Sequence, residues 1–144
     1  MLVQQILTSK GDHGVITVAP GTTVQQVAEL LSSKRIGAVI VSVDGTRAEG
    51  ILSERDIVRE LGKRGPACLS EKVESLMTAK LIGCTRGDQT DAVLQTMTDG
   101  RFRHMPVIEG GQMVGLISIG DVVKARLEEL RAEKDALEGM IKGF

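Results

Sequence analysis

The sequence contains no tryptophan and no tyrosine, and its 144 residues include only two phenylalanines, Phe102 and Phe144. Aromatic platforms for stacking single-stranded nucleic acid are therefore nearly absent. The core has to be aliphatic. Cysteine is scarce as well: Cys68 and Cys84 have no metal-ligand spacing and no evident mate, so no metal site is expected and a reduced, cytoplasmic setting is. Neither sign of charge dominates, since 18 basic and 19 acidic residues give a net charge of −1. Such a balance provides no field for nucleic acid or an anionic membrane. The longest apolar run, "IGAVIVSV" at 36–43, is far too short to span a bilayer. The start, "MLVQQILTSKGD", has no basic segment followed by an apolar one, so no signal peptide is expected. GxGxxG, GxxxxGK[ST], HExxH and GxSxG are all missing, and no nucleophile stands beside a base in a known pattern. No catalytic residue is expected.

What the chain does contain is a repeat. "GILSERD" at 50–56 returns as "GLISIGD" at 115–121. Gly50, Ser53 and Asp56 fall on Gly115, Ser118 and Asp121, each 65 residues on. Upstream, Gly21, Val27, Leu31, Arg35 and Val41 fall on Gly87, Val93, Met97, Arg101 and Val107 at an offset of 66. Earlier still, "VQQILT" at 3–8 matches "VESLMT" at 73–78 at an offset of 70. The first copy carries about four extra residues in its "SKGDHG" loop. Repeats of this kind set the architecture, because one unit buries its face against the other.

Each copy predicts the order β-α-β-β-α. "VITV" (15–18) and "LIGC" (81–84) read as short strands. A helix follows, with Val24, Val27, Ala28 and Leu31 on one face. Thr22 is the expected cap with Gln25 three residues on, and in the second copy Asp88 with Asp91. "GAVIVSV" (37–43) and "MPVI" (105–108) are the next strands, and Gly-containing turns lead each into a hairpin partner. A second helix starts at Ser53 or Ser118. Between the copies, Gly62, Gly65 and Pro66 break the helix begun at Glu54, and Cys68 lies in that linker.

The tail differs from the first copy. After Asp121 the chain runs without proline to Phe144, predicting a helix of about 20 residues. Val123, Leu127, Leu130, Leu137, Ile141 and Phe144 follow alternating spacings of three and four, interrupted by Lys134. Lys124 with Glu128, Arg131 with Asp135, and Glu138 with Lys142 are spaced for ion pairs. The early half is expected to pack on the domain and the late half to meet a partner subunit. A long coiled coil is not supported. The parts are repeat 1 (1–59), a linker (60–72), repeat 2 (73–124) and the C-terminal helix (125–144).

The unit in tandem, with "RIGAVIV…GILSERDIV" and "RFRHMPVIEGGQMVGLISIGDVV", closely resembles paired CBS domains, named after cystathionine β-synthase, from Val3 to about Lys124. The resemblance implies an α/β (α+β) fold in which the two repeats pack as a pseudo-two-fold pair, and association of such pairs as homodimers. It also implies clefts that bind AMP, ADP, ATP, NAD(H) or S-adenosylmethionine. Carried over residue by residue, it gives two composite sites. Site A takes Gly14, Ile16, Ile36, Gly37 and Ala38 with Ser118, Gly120 and Asp121. Site B takes Ile82, Phe102, Arg103 and His104 with Ser53, Arg55 and Asp56. Ile36 and Phe102 offer apolar surface for a base. The small Gly37 and Ala38 would let a ligand approach the backbone in site A. Arg103 and His104 stand in their places in site B, where they would reach phosphates or crowd out the base, so site A is favoured for base and ribose. His13 is taken as a loop residue.

Ser53 with Asp56 is equally a helix-capping pair that needs no ligand. At a cleft, the same carboxylate can clamp two ribose hydroxyls, and the helix-start amides suit a phosphate. Three functions therefore stand open. The chain is a regulatory module that binds an adenine nucleotide and signals to an unknown partner, a constitutive interaction protein with vestigial clefts, or a redox or NAD(H) sensor with Cys68 exposed.

Overall fold

The computed structural model describes residues 1–11 and 14–143; His13 and Phe144 therefore lie outside the described residues. Five helices, α1 (Val3–Lys10), α2 (Val24–Lys34), α3 (Glu54–Arg64), α4 (Thr90–Gly100) and α5 (Ile119–Ile141), alternate with five strands. The strands are β1 (Thr17–Val18), β2 (Ala38–Val41), β3 (Gly50–Ser53), β4 (His104–Glu109) and β5 (Gln112–Ser118). In the first repeat β1 pairs parallel with β2, and β2 antiparallel with β3. The second repeat has only the hairpin β4–β5.

The strand expected at "LIGC" is reduced to one parallel bridge, Cys84 with Val107. Its cause is a single residue. In the first repeat the amide of Ile40 donates to Ile16 O at 3.1 Å. The repeat-related position is Pro106, which has no N–H to donate to Ile82. One rung survives on each side of Cys84, to Pro106 O at 3.0 Å and from Ile108 N at 2.8 Å. Ile82, released from the ladder, is 51% exposed.

Two aliphatic cores hold the molecule, and each draws on both ends of the repeat. Val24, Val27, Leu31, Val39, Val41 and Leu52 of the first repeat bury Val73 and Leu76 among them. The second core, around Val93, Met97, Met105 and Ile117, takes in Val3 and Ile6 of α1. The segment that opens each copy thus packs into the other copy's core. Backbone bonds repeat this crossing. Val73 N donates to Thr22 O and Val24 N to Glu71 O; at repeat-related places Val3 N donates to Asp88 O and Thr90 N to Met1 O. A molecule tied this way is expected to unfold as one unit. Leu52→Ala, wholly buried, is expected to destabilise it by about 2–5 kcal/mol in urea titration, with loss of both repeats in one transition.

Two caps differ from the expected ones. Thr23, not Thr22, caps α2: its hydroxyl accepts from Gln26 N at 3.2 Å and Gln26 Oε1 accepts from Thr23 N at 3.0 Å. The carbonyl of Thr22 is engaged by Val73 instead. Likewise α4 starts after Gln89 without a side-chain cap, because the Asp88 carboxylate accepts from Thr85 N at 2.8 Å. The linker break falls at Gly65, with φ +78°, and Gly62 stays inside α3. Cys68 is 1% exposed, which removes the exposed thiol that redox sensing required. Burial, with the Asp88 carboxylate nearby, pushes the Cys84 thiol up to about 11, the signature of an inert cysteine.

Helix α5 runs 23 residues. Its buried residues are Val122 and Ala125, neither of them on the foreseen stripe. Val123, Leu127, Leu130, Leu137 and Ile141 stay exposed. The three foreseen ion pairs do not form among the described residues; Arg126 meets Glu129 at 2.8 Å and Lys134 approaches Glu138 at 3.7 Å. No helix among the described residues is long and apolar enough to cross a membrane.

Candidate functional site

Hairpin strand β3 delivers Ser53 to the start of α3 in extended backbone. There its hydroxyl accepts from Asp56 N at 3.3 Å and donates to Asp56 Oδ2 at 2.8 Å, while Ser53 N donates to the same oxygen at 3.0 Å. The second oxygen, Oδ1, accepts from Arg59 at 2.8 Å. Asp56 is thus fixed in direction, with one oxygen in the cap and the other facing a displaceable, exposed arginine.

This capped start forms one wall of a cleft of about 440 Å³. All seven residues expected in site B line it. Ser53, Arg55 and Asp56 come from the first repeat; Ile82, Phe102, Arg103 and His104 come from the second. Phe102 packs against the second core and lies directly over Gly100, where a side chain would collide with its ring. Together with Ile82 and Pro106 it makes an apolar wall. Arg101, which the sequence sets in one basic cluster with Arg103 and His104, also lines the cleft, and so do Arg59 and Lys80, which sequence reasoning missed. A signal for Lys80 was present: it stands 70 residues after Lys10, the same offset as "VQQILT" and "VESLMT". Arg101 is the left-handed C-cap of α4 at φ 56°, as Arg35 is of α2 at φ 53°.

The eight residues expected in site A do not share one cavity. Gly14 lines a separate groove of about 350 Å³ with Lys10, Arg86 and Leu116. Ile16 and Ile36 pack on the first core, and Ala38 is buried in β2. Gly120 sits in the first turn of α5, beyond the Ser118 cap, and Asp121 closes that cap as Asp56 does the other. The difference lies at the carboxylate. Lys10 Nζ donates to Asp121 Oδ2 at 2.8 Å and to Leu116 O at 3.0 Å. The space over Gly37 is occupied in this structure. His104 fills it: a Cβ on Gly37 would lie 3.0 Å from Nε2 of that imidazole. Small residues here make room for a histidine. The geometry thus gathers the site B residues at one cleft and leaves those of site A apart, with His104 against Gly37.

Two titrations follow from this packing. Burial pushes the Asp121 carboxyl up, and the Lys10 ammonium with the Ser118 N–H outweighs it, holding the group below the usual range. Burial lowers His104, although Glu54, Asp121 and Asp56 pull it up; Lys10 adds to the lowering. A histidine whose folded value lies below its unfolded value of about 6.5 favours the fold only while neutral. That contribution is complete above the unfolded value and is lost as pH falls through the folded one. The urea midpoint is expected to fall between pH 7.5 and pH 5.5, and to fall less in His104→Gln; equal losses in both would contradict this.

The arrangement is that of a tandem β-α-β-β-α module with a composite cleft lined by an oriented carboxylate, an apolar wall and cations. Comparison gives its family. The CBS domain model matches residues 4–63 and again 73–128, and the chain belongs to the CBS-domain family as a tandem pair. The CBS domain-containing protein CBSX3, mitochondrial, of Arabidopsis thaliana is 34% identical over 148 residues, covering 98% of this chain and 72% of the relative. A CBS-domain containing protein of Agrobacterium tumefaciens has the same fold at a TM-score of 0.83, with 41% identity over 88% of this chain and 99% of its own. A more distant CBS domain protein of Pyrobaculum aerophilum, complexed with AMP, has a TM-score of 0.77 at 23% identity, over 92% of this chain and 99% of its own, a likeness of fold alone.

Proposed function

We propose that the protein is a non-enzymatic regulatory module that binds an adenine nucleotide in the cleft between Ser53–Asp56 and Phe102–His104 and passes the bound state to a partner protein. The observation that carries this reading is the convergence of three kinds of group in one cleft. Asp56 is oriented for ribose hydroxyls, Ile82 and Phe102 offer a face to the base, and the start of α3, where among the described residues the Arg55 amide has no acceptor, stands beside cations that suit phosphate. The AMP complex of the Pyrobaculum aerophilum protein supports an adenosine ligand for the fold. Regulation requires the ligand to favour one arrangement of the repeats over another, and a cleft walled by both repeats meets that need.

The cleft is tested by thermal unfolding followed by circular dichroism with AMP, ADP, ATP or NAD(H). A ligand at 100 times its Kd adds about 2.7 kcal/mol and a clear rise in Tm. No rise with any of them at millimolar concentration would overturn the reading and leave a constitutive interaction protein, a role that the exposed face of α5 suits.

That face also supports a homodimer. Val58 on α3 and Val123 on α5 are related by the repeat and are 67% and 40% exposed; Leu127 and Leu130 continue the patch along α5. Parallel pairing of two α5 helices would set Lys134 against its own copy, so the proposed pairing is antiparallel. Two unpaired, buried cysteines suit a reducing compartment such as the cytoplasm.

A further inference from the structure

The cleft holds more positive charge than its own carboxylates neutralise. Arg55, Arg59, Lys80, Arg101 and Arg103 line it against Glu54 and Asp56. Arg59 is paired with Asp56. The other four make no ion pair among the described residues and face Glu54 alone, leaving three positive charges uncompensated. A low-dielectric cleft concentrates such a field and raises the local concentration of anions.

The excess belongs to one of two repeat-related places. At the corresponding positions of site A, Arg55 is replaced by Gly120 and Arg103 by Gly37. Lys80 corresponds to Lys10, whose ammonium is held by Asp121. Only Arg101 keeps a cation there, Arg35. Lys80 is without a carboxylate because Asp56 is engaged by Arg59, where the second repeat has Lys124. Repeat symmetry and capping require none of these four cations, and three of them are absent or neutralised where the same fold is built a second time. Their chemistry is that of phosphate recognition: forked guanidinium contacts with an ammonium beside them.

We propose that Arg55, Lys80, Arg101 and Arg103 select a ligand with a chain of phosphates, a nucleoside di- or triphosphate, over a monophosphate and over the positively charged S-adenosylmethionine. This rests on the adenine-nucleotide reading of the same cleft. A monophosphate carries about two negative charges, fewer than the cleft leaves uncompensated; a diphosphate matches that number and a triphosphate exceeds it.

Calorimetric titration in magnesium-free buffer tests it with ATP, ADP, AMP, adenosine, S-adenosylmethionine and inorganic tripolyphosphate. ATP and ADP are expected to bind at least tenfold tighter than AMP, and S-adenosylmethionine at least a hundredfold weaker than ATP. Rising salt should weaken ATP and leave adenosine unchanged. Lys80→Met and Arg101→Met each should cost ATP about tenfold and leave adenosine within twofold. Lys80 and Arg101 are exposed, and the fold is checked by an unchanged Tm. Adenosine or AMP binding as tightly as ATP, or S-adenosylmethionine binding more tightly, overturns the inference and leaves the adenosine site standing. Tripolyphosphate binding without any adenine preference overturns the adenine reading and leaves the phosphate chain standing. Absence of binding by every compound overturns both.

Discussion

Asp56→Ala is expected to reduce adenine-nucleotide affinity by about a hundredfold or more, while Asp121→Ala leaves it within about threefold. Each hydrogen bond to a charged acceptor contributes about 1.5–3 kcal/mol, and a ribose clamped on one carboxylate loses two. The two aspartates occupy the same place in the repeat and make the same cap. They differ in what faces them. Asp56 opens on the cleft and is met by an arginine of its own helix, 54% exposed and free to swing away. Asp121 is held by Lys10, which is also anchored on the Leu116 carbonyl. Both substitutions remove a cap and cost about 0.5–2 kcal/mol of stability, so equal Tm losses accompany unequal binding losses. Calorimetry reads both, and one nucleotide per chain is expected. A hundredfold loss in Asp121→Ala with none in Asp56→Ala would place the ligand in the other cleft.

The second large effect is on assembly. Leu130→Asp with Leu137→Asp is expected to convert the proposed dimer to monomer, weakening association more than a hundredfold. Both leucines are about half exposed on the single chain, 48% and 59%. On a monomer their replacement changes stability by no more than about 0.5 kcal/mol. In an apolar interface, each carboxylate is buried without a partner. Sedimentation separates the cases: a wild-type chain that sediments as a monomer at all concentrations contradicts the dimer, and a variant that remains dimeric moves the interface off α5.

The repeat made most of this legible before any coordinates. Three offsets, 65, 66 and 70, exposed the repeat and the paired caps at Ser53 and Ser118, and its motifs pointed to the family; helix α1 was not foreseen, and the strand at "LIGC" is reduced to a bridge. The departures arose where one residue changes a rule that the repeat otherwise keeps. Pro106 removes a donor, which frees Ile82 from a strand and turns it toward the cleft. Lys10 and His104 fill the space that Gly37 and Asp121 would have left open; both are distant in sequence from the residues they engage, so spacing gave no sign of them. Thr22 and Asp88 failed as caps because their side chains bond elsewhere, the Thr22 hydroxyl donating to Ala19 O and the Asp88 carboxylate accepting from Thr85 N, while their carbonyls serve the crossing between repeats, a tertiary contact that local propensity does not contain. Val122 and Ala125 face inward in place of the foreseen stripe because α5 packs on the second core through its first two turns only.

The most direct measurement is the amide spectrum of the isotope-labelled chain titrated with ATP. The account predicts saturable shifts at Ser53–Asp56, Lys80–Ile82 and Arg101–His104, all of which border one cleft. Shifts confined to Gly14–Ile16 and Ser118–Asp121, or none at millimolar ATP, would contradict it.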